Sequence, residues 1–283
     1  ISSTEMLPSL AAATPNITLN NGVQMPILAF GANVWDAGTC ESATTSALNE
    51  GFRFVWSSQL IGQDCQSAQG KAIAASTVAR KELFIAGTAD TASCTSHDDC
   101  YQQTKAATEQ QFQLLVGSGG ALDMLMLDYP PYTQGCDLIT GQWRAFEEVY
   151  AAKRVRTIAV SNFLTDQIKC ITANASATVP SVNQLDYSVG KSSAIIDANA
   201  QLGVVVQAYS PLGSGGLISA PLLQTIGKSH NKSSAQVALR WIVQHNATVN
   251  TQSTNPSHLH DDADIFDFVL TPAEMAQLDA YQP

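Results

Sequence analysis

The sequence predicts an α/β fold, specifically a single (β/α)8 TIM barrel carrying an N-terminal β-hairpin. Three observations lead there. Short β-rich runs alternate with helical patterns from end to end, which is the rhythm of parallel βα units and not of a sandwich. Eight such units can be counted, the number that closes a barrel. No linker long enough to divide the chain interrupts the 283 residues, so one domain spanning 1–283 is expected, with 1–15 as an N-terminal extension.

The elements follow in order. Ile17-Thr18-Leu19-Asn20-Asn21-Gly22-Val23 reads as two extended runs around an Asn-Gly turn, a hairpin placed to plug the N-terminal mouth of the barrel. The strands are expected at Ile27 to Phe30, Arg53 to Val55, Leu83 to Ala86, Leu122 to Leu127, Thr157 to Val160, Val182 to Leu185, Val204 to Ala208 and Ala247 to Thr251. Each is short and apolar, as a strand covered on both faces requires. Between them, Glu41 to Asn49, Gln103 to Val116, Gly141 to Ala152 and Ser234 to His245 carry apolar residues at three- and four-residue spacing, the period of a helix with one buried face.

Composition removes several function classes. With 14 Lys+Arg against 24 Asp+Glu the net charge is −10, which repels phosphate backbones and anionic surfaces, so nucleic acid is not an expected partner. No apolar run reaches the roughly 18 residues of a membrane span. Only 13% of residues are charged, about half the usual share, which leaves Ser, Thr, Gln and Asn to cover the surface. The cysteines Cys40, Cys65, Cys94, Cys100, Cys136 and Cys170 form no CxxC pair, and no metal is expected. Four sequons, at Asn16, Asn174, Asn231 and Asn246, stand in segments that read as surface and mark glycosylation candidates. An even cysteine count, the sequons and the low-Lys surface favour a secreted, cell-surface or organelle-lumen location over the cytoplasm; six buried thiols with unused sequons is the plainer alternative. The chain opens Ile1-Ser2-Ser3-Thr4 without an initiator Met, as expected if a leader has been removed.

A family resemblance emerges from the motifs taken together. Asn21-Gly22-Val23-Gln24-Met25-Pro26, Gly51-Phe52-Arg53-Phe54-Val55, Leu83-Phe84-Ile85, Ile158-Ala159-Val160-Ser161-Asn162-Phe163, Val182-Asn183-Gln184-Leu185, Ala208-Tyr209-Ser210-Pro211-Leu212-Gly213-Ser214 and Ala235-Gln236-Val237-Ala238-Leu239-Arg240-Trp241 occur in the order and at the spacing of the aldo-keto reductases. The chain resembles that family from about Ile17 to Tyr281. The resemblance implies a nicotinamide cofactor at the C-terminal mouth of the barrel and reduction of carbonyls by a Tyr supported by Lys, Asp and His. That set answers a chemical need: hydride reaching the carbonyl carbon builds negative charge on oxygen, which an acid of lowered pKa must meet.

At the four matching positions this chain has Trp56 for the Asp, Ile61 for the Tyr, Thr88 for the Lys and Asp128 for the His. None supplies a proton in the family manner, and a charged Asp128 would oppose an oxyanion. Tyr129, Tyr132 and Lys71 are the residues that could replace the missing acid and cation. The cofactor residues implied by the resemblance are better kept: Ser161, Asn162 and Gln184 for the carboxamide, Tyr209 for the ring, and Ser210, Leu212 and Ser214 for the pyrophosphate loop. At the adenosine end Gln252, Ser253, His258, Asp261 and Asp262 replace a cationic clamp, which disfavours a 2′-phosphate. These residues are expected to be vestigial, with no cofactor bound, and with NAD(H) ahead of NADP(H) if one binds. Mapped onto the family barrel, the cysteines fall into neighbouring pairs, 40 with 65, 94 with 100 and 136 with 170, bridging loops around the mouth.

The expected function is therefore that of a catalytically inactive aldo-keto-reductase-like pseudoenzyme with a structural or binding role in a secreted or luminal assembly, partnered by another protein or a surface polymer. The alternative is an NAD(P)-dependent oxidoreductase acting on carbonyls by an altered mechanism, built on Ser161, Asn162, Gln184 and Tyr209. A third idea turns Trp56, Ile61 and Tyr209 into an apolar ligand pocket.

Overall fold

The computed structural model describes residues 14–133, 135–174, 177–213 and 216–282. The chain begins with β1 (Asn16–Thr18) and β2 (Gln24–Pro26), an antiparallel pair whose turn uses Gly22 at φ +83°, a conformation open to glycine at no steric cost. Eight parallel strands follow: β3 (Leu28–Gly31), β4 (Phe54–Ser57), β5 (Phe84–Ala89), β6 (Leu122–Leu127), β7 (Val155–Ser161), β8 (Val182–Asp186), β9 (Val205–Tyr209) and β10 (Thr248–Thr251). They close in sequence order, β10 pairing with both β9 and β3. The helices around them are α1 (Ala37–Asn49), α2 (Gln63–Ala75), α3 (His97–Leu115), α4 (Cys136–Ala151), α5 (Thr165–Thr172), α6 (Ala194–Ala200), α7 (Pro221–His230), α8 (Ser234–Gln244), α9 (Pro256–Ala263) and α10 (Pro272–Asp279).

Strand alternation sorts the core into two layers. Ala29, Phe54, Phe84, Ala86, Met124, Met126 and Ala159 point into the barrel, while Val55, Ile85, Leu125, Leu127 and Ile158 face the helices. The hairpin seals the N-terminal end. Leu19 and Met25 join the inner layer, and Asn20 donates to Pro180 O and accepts from Ser181 Oγ at 3.0 and 2.8 Å. Helix starts are set by side-chain caps: Asp36, Ser96, Ser233 and Thr271 each accept an N–H of the first turn. The Ser96 cap starts α3 at His97, so Cys100 lies inside a helix that the apolar period alone would begin at Gln103. Likewise α4 starts at Cys136 and not at Gly141.

Three disulfides join Cys40 to Cys65, Cys94 to Cys100 and Cys136 to Cys170, with Cα separations of 5.4, 4.9 and 5.1 Å. They tie α1 to α2, the loop after β5 to α3, and α4 to α5. Asn16, Asn174, Asn231 and Asn246 are all exposed. His230 and His245 are half-buried against Glu274 and Asp279. Among the described residues no helix is long and apolar enough to cross a membrane.

Candidate active site

A cavity of 360 Å³ opens at the C-terminal ends of the strands. Asp128 follows β6 and is held there by a hydrogen bond from its N–H to Ala89 O, 2.9 Å. Its carboxyl is buried. Oδ2 accepts from Ser58 Oγ at 2.8 Å and from Thr88 Oγ1 at 3.0 Å, and Thr88 Oγ1 in turn accepts the Gln59 N–H at 2.9 Å. Oδ1 accepts from no donor among the described residues, while Asp128 lines the cavity. Burial raises the Asp128 pKa above the ordinary carboxylate range, the two hydroxyls pull it down less, and the charge of Asp90 adds to the rise. The expectation that Asp128 simply opposes an oxyanion assumes a charged group; burial shifts the carboxyl toward its neutral form.

The other family positions sit differently. Trp56, next to last in β4, points into the barrel and borders the cavity, its Nε1 without a partner among the described residues. A Cβ on Gly31 would come within 3.0 Å of the Trp56 ring and 2.9 Å of the Asn250 amide, so glycine leaves the room that both side chains occupy. Ile61, in a short 3-10 turn, points away and packs with Ala32, Cys40, Cys65 and Ala68; Leu60 faces the cavity instead. An apolar pocket built on Trp56, Ile61 and Tyr209 is thereby corrected, since Ile61 is not in it. Thr88 does not line the cavity and reaches it only through Asp128.

The residues matched to cofactor binding converge. Asn162, at φ +62°, donates from Nδ2 to Asp128 O (3.1 Å) and Ser161 Oγ (3.0 Å), and its Oδ1 accepts from Tyr209 Oη at 3.1 Å. Ser161 Oγ donates to Gln184 O at 3.1 Å, and Gln184 Nε2 donates to Gln207 Oε1 at 2.7 Å. Ser161, Asn162, Gln184, Tyr209, Ser210 and Leu212 all line the cavity. Gln184 Oε1 accepts from no donor among the described residues, which fits it to take the N–H of a carboxamide. Ser253 stands outside, capping the turn before α9 by accepting from Asn255 N at 3.1 Å. Ser214 lies outside the described residues.

No Lys, Arg or His is among the cavity-lining residues. Tyr129 lines the cavity, and burial and then the nearby Asp128 charge raise its pKa; Tyr209 is raised in the same way by burial and by Asp186. Phenols with carboxylates for neighbours are weak acids. Tyr132 is exposed, and Lys71 lies at the opposite end of the barrel. Neither replaces the missing acid and cation. At the adenosine end Asp262 turns inward, accepting from Thr251 Oγ1 at 2.6 Å, and burial raises its pKa to about 7. Sequence reasoning missed Ser58 and Leu60, which only the turn after β4 brings to the cavity.

The aldo/keto reductase family profile matches residues 42–282. The chain belongs to the aldo/keto reductase family. It is 33% identical to morphine 6-dehydrogenase of Pseudomonas putida, over 95% of this chain and 92% of that protein. It is 32% identical to glyoxal reductase of Bacillus subtilis, over 93% and 91% of the two chains. Among solved structures, an aldo-keto reductase from a Medee basin deep-sea metagenome library superposes with a TM-score of 0.84 at 26% identity, covering 93% of each chain.

Two expectations are corrected by this membership. An inactive barrel serving a secreted assembly does not agree with a chain whose close relatives over nearly full length are named as dehydrogenases and reductases. The expectation of no cofactor falls with it, because the family reaction draws on a nicotinamide, and Ser161, Asn162, Gln184 and Tyr209, matched to it in sequence, line the cavity. The residues fit the carboxamide and ring; beyond them, Thr251 and Gln252 offer no cation to a 2′-phosphate.

Proposed function

We propose that this aldo/keto reductase family member is an NAD(P)-dependent oxidoreductase of carbonyl compounds that works by an altered mechanism, with Asp128 in the role of proton donor. One observation carries the reading: Asp128 is a buried carboxyl with one oxygen anchored and the other free at the cavity. Ser161, Asn162, Gln184 and Tyr209 would hold the nicotinamide, which when bound supplies hydride to the carbonyl carbon. As charge builds on the carbonyl oxygen, the neutral carboxyl releases its proton from Oδ1. The carboxylate left behind is stabilised by the Ser58 and Thr88 hydroxyls already donating to Oδ2. Solvent then returns the proton. For alcohol oxidation the same group acts as base.

The substrate class follows from the rim. Val34, Leu60, Tyr132, Leu164 and Ile218, on the loops after β3, β4, β6, β7 and β9, are exposed large apolar residues, and the cavity offers no charge partner for an anion. Both features favour an apolar carbonyl as the substrate. The three cystines and four exposed sequon asparagines support an oxidising, secreted or luminal compartment with glycosylation.

The test compares wild type with Asp128→Asn on apolar aldehydes and ketones, using NADH and NADPH. Reduction by the wild type is expected to fall as pH rises through the raised Asp128 pKa. Asp128→Asn should lose roughly 10²- to 10⁴-fold in kcat while still quenching tryptophan fluorescence on binding NADH. A variant as fast as the wild type removes Asp128 from the mechanism.

A further inference from the structure

A second cavity, of 1250 Å³, lies at the N-terminal end of the barrel between α2 and α3. Its floor is apolar, made by Ile73 near the end of α2, Leu115 at the end of α3, and Leu83, Leu122 and Val155 where strands begin. Gly70 brings the helices together, since a Cβ there would stand 2.1 Å from Leu114 O. The rim is basic. Lys71, Arg80, Lys81, Lys153 and Arg156 line it, five of the 14 Lys+Arg in a chain of net charge −10, and Asp123 is the single lining carboxylate.

Asp123 is buried and fully committed. Its Oδ1 meets Arg156 Nη1 at 2.9 Å, and its Oδ2 meets Arg80 Nη2 at 2.8 Å and accepts the Ile85 N–H at 2.9 Å. One carboxylate therefore serves two guanidiniums. The side-chain ammonium groups of Lys71, Lys81 and Lys153 make no hydrogen bond or ion pair with any described residue.

An apolar floor under an unmatched cationic rim is complementary to a ligand of the inverse pattern. We infer that this groove binds a long-chain carboxylate, its alkyl chain against the floor and its head group at the lysine rim. The carboxylate head is favoured because the groove already satisfies one, that of Asp123, at 2.8 to 2.9 Å. The site stands at the opposite end of the barrel from Asp128 and does not depend on the carbonyl chemistry proposed there.

Calorimetric titration of the full, disulfide-bonded chain with sodium laurate tests this. One saturable site is expected, with a Kd on the order of micromolar. The triple variant Lys71→Gln, Lys81→Gln, Lys153→Gln should weaken it at least tenfold, and Ala74→Trp, which fills the groove from an exposed helix position, should abolish it. Uncharged dodecyl maltoside should bind at least tenfold more weakly. Absence of saturable laurate binding, equal affinity in Ala74→Trp, or equal affinity for dodecyl maltoside overturns the proposal. So does tighter binding of dodecyl phosphate than of laurate, or a dimer in sedimentation that Ala74→Trp dissolves while laurate does not bind. Ala74→Trp keeps the test decisive should the triple variant fail to fold.

Discussion

Replacing Asp262 by Asn should make the protein's stability far less sensitive to pH. Asp262 is buried on α9, its carboxyl accepts from Thr251 Oγ1 at 2.6 Å, and burial moves its pKa from the ordinary 3.8 to about 7. The native state therefore holds this proton more tightly than the unfolded chain. Stability from the group is complete below the unfolded value and is lost as pH rises through 7. A shift of about three units corresponds to about 4 kcal/mol over the whole range, at roughly 1.4 kcal/mol per unit. Between pH 5 and pH 8 the loss is about 2 to 3 kcal/mol, because part of it has already occurred by pH 5. Asn keeps an acceptor for the Thr251 hydroxyl and does not titrate. Urea unfolding of both proteins from pH 5 to pH 8 should show the variant gaining that amount on the wild type across the interval. Parallel stability curves would refute the claim that a buried, proton-holding carboxyl anchors this wall of the cavity.

Other outcomes follow from the same contacts. Ser58→Ala with Thr88→Val removes the hydroxyls that favour the charged form of Asp128, so the alkaline limb of the reduction profile should move to higher pH, as read from kcat against pH. NADH should bind about tenfold more tightly than NADPH by fluorescence titration, because Gln252 and Ser253 offer the 2′-phosphate no cation; Gln252→Lys should narrow that gap. Gly31→Ala forces a methyl against the Asn250 amide and the Trp56 ring, and a loss of about 1 to 3 kcal/mol is expected in chemical unfolding. Removing the Cys136–Cys170 bridge frees a loop of separation 34 and should cost about 2 to 4 kcal/mol by the same assay.

Much of the barrel was legible because its signals are local. Strand and helix periods repeat within a few residues, and β6 begins and ends where the strand read from the sequence, Leu122 to Leu127, does. The helix starts were less so: the Ser96 cap precedes a polar first turn, His97-Asp98-Asp99, in which no apolar period has yet begun, and α4 starts at Cys136 after Gly135, which supplies no side-chain cap. The site was half legible. Ser161, Asn162, Gln184 and Tyr209 could be named from their motifs and do line one cavity, whereas Ile61 was placed by spacing and turns out to face the disulfide-linked helices.

By itself the amino-acid sequence determined the eightfold alternation and the cysteine set, both properties of residue type and order, and led to the expectation that four family side chains are exchanged. Only the folded chain decided what those exchanges mean. Asp128 meets Ser58 across 70 positions of sequence and Thr88 across 40, and its protonation is governed by the water excluded when β5 and β6 close around it. Charge state, unlike residue identity, belongs to an environment, and that environment exists only once the barrel has closed.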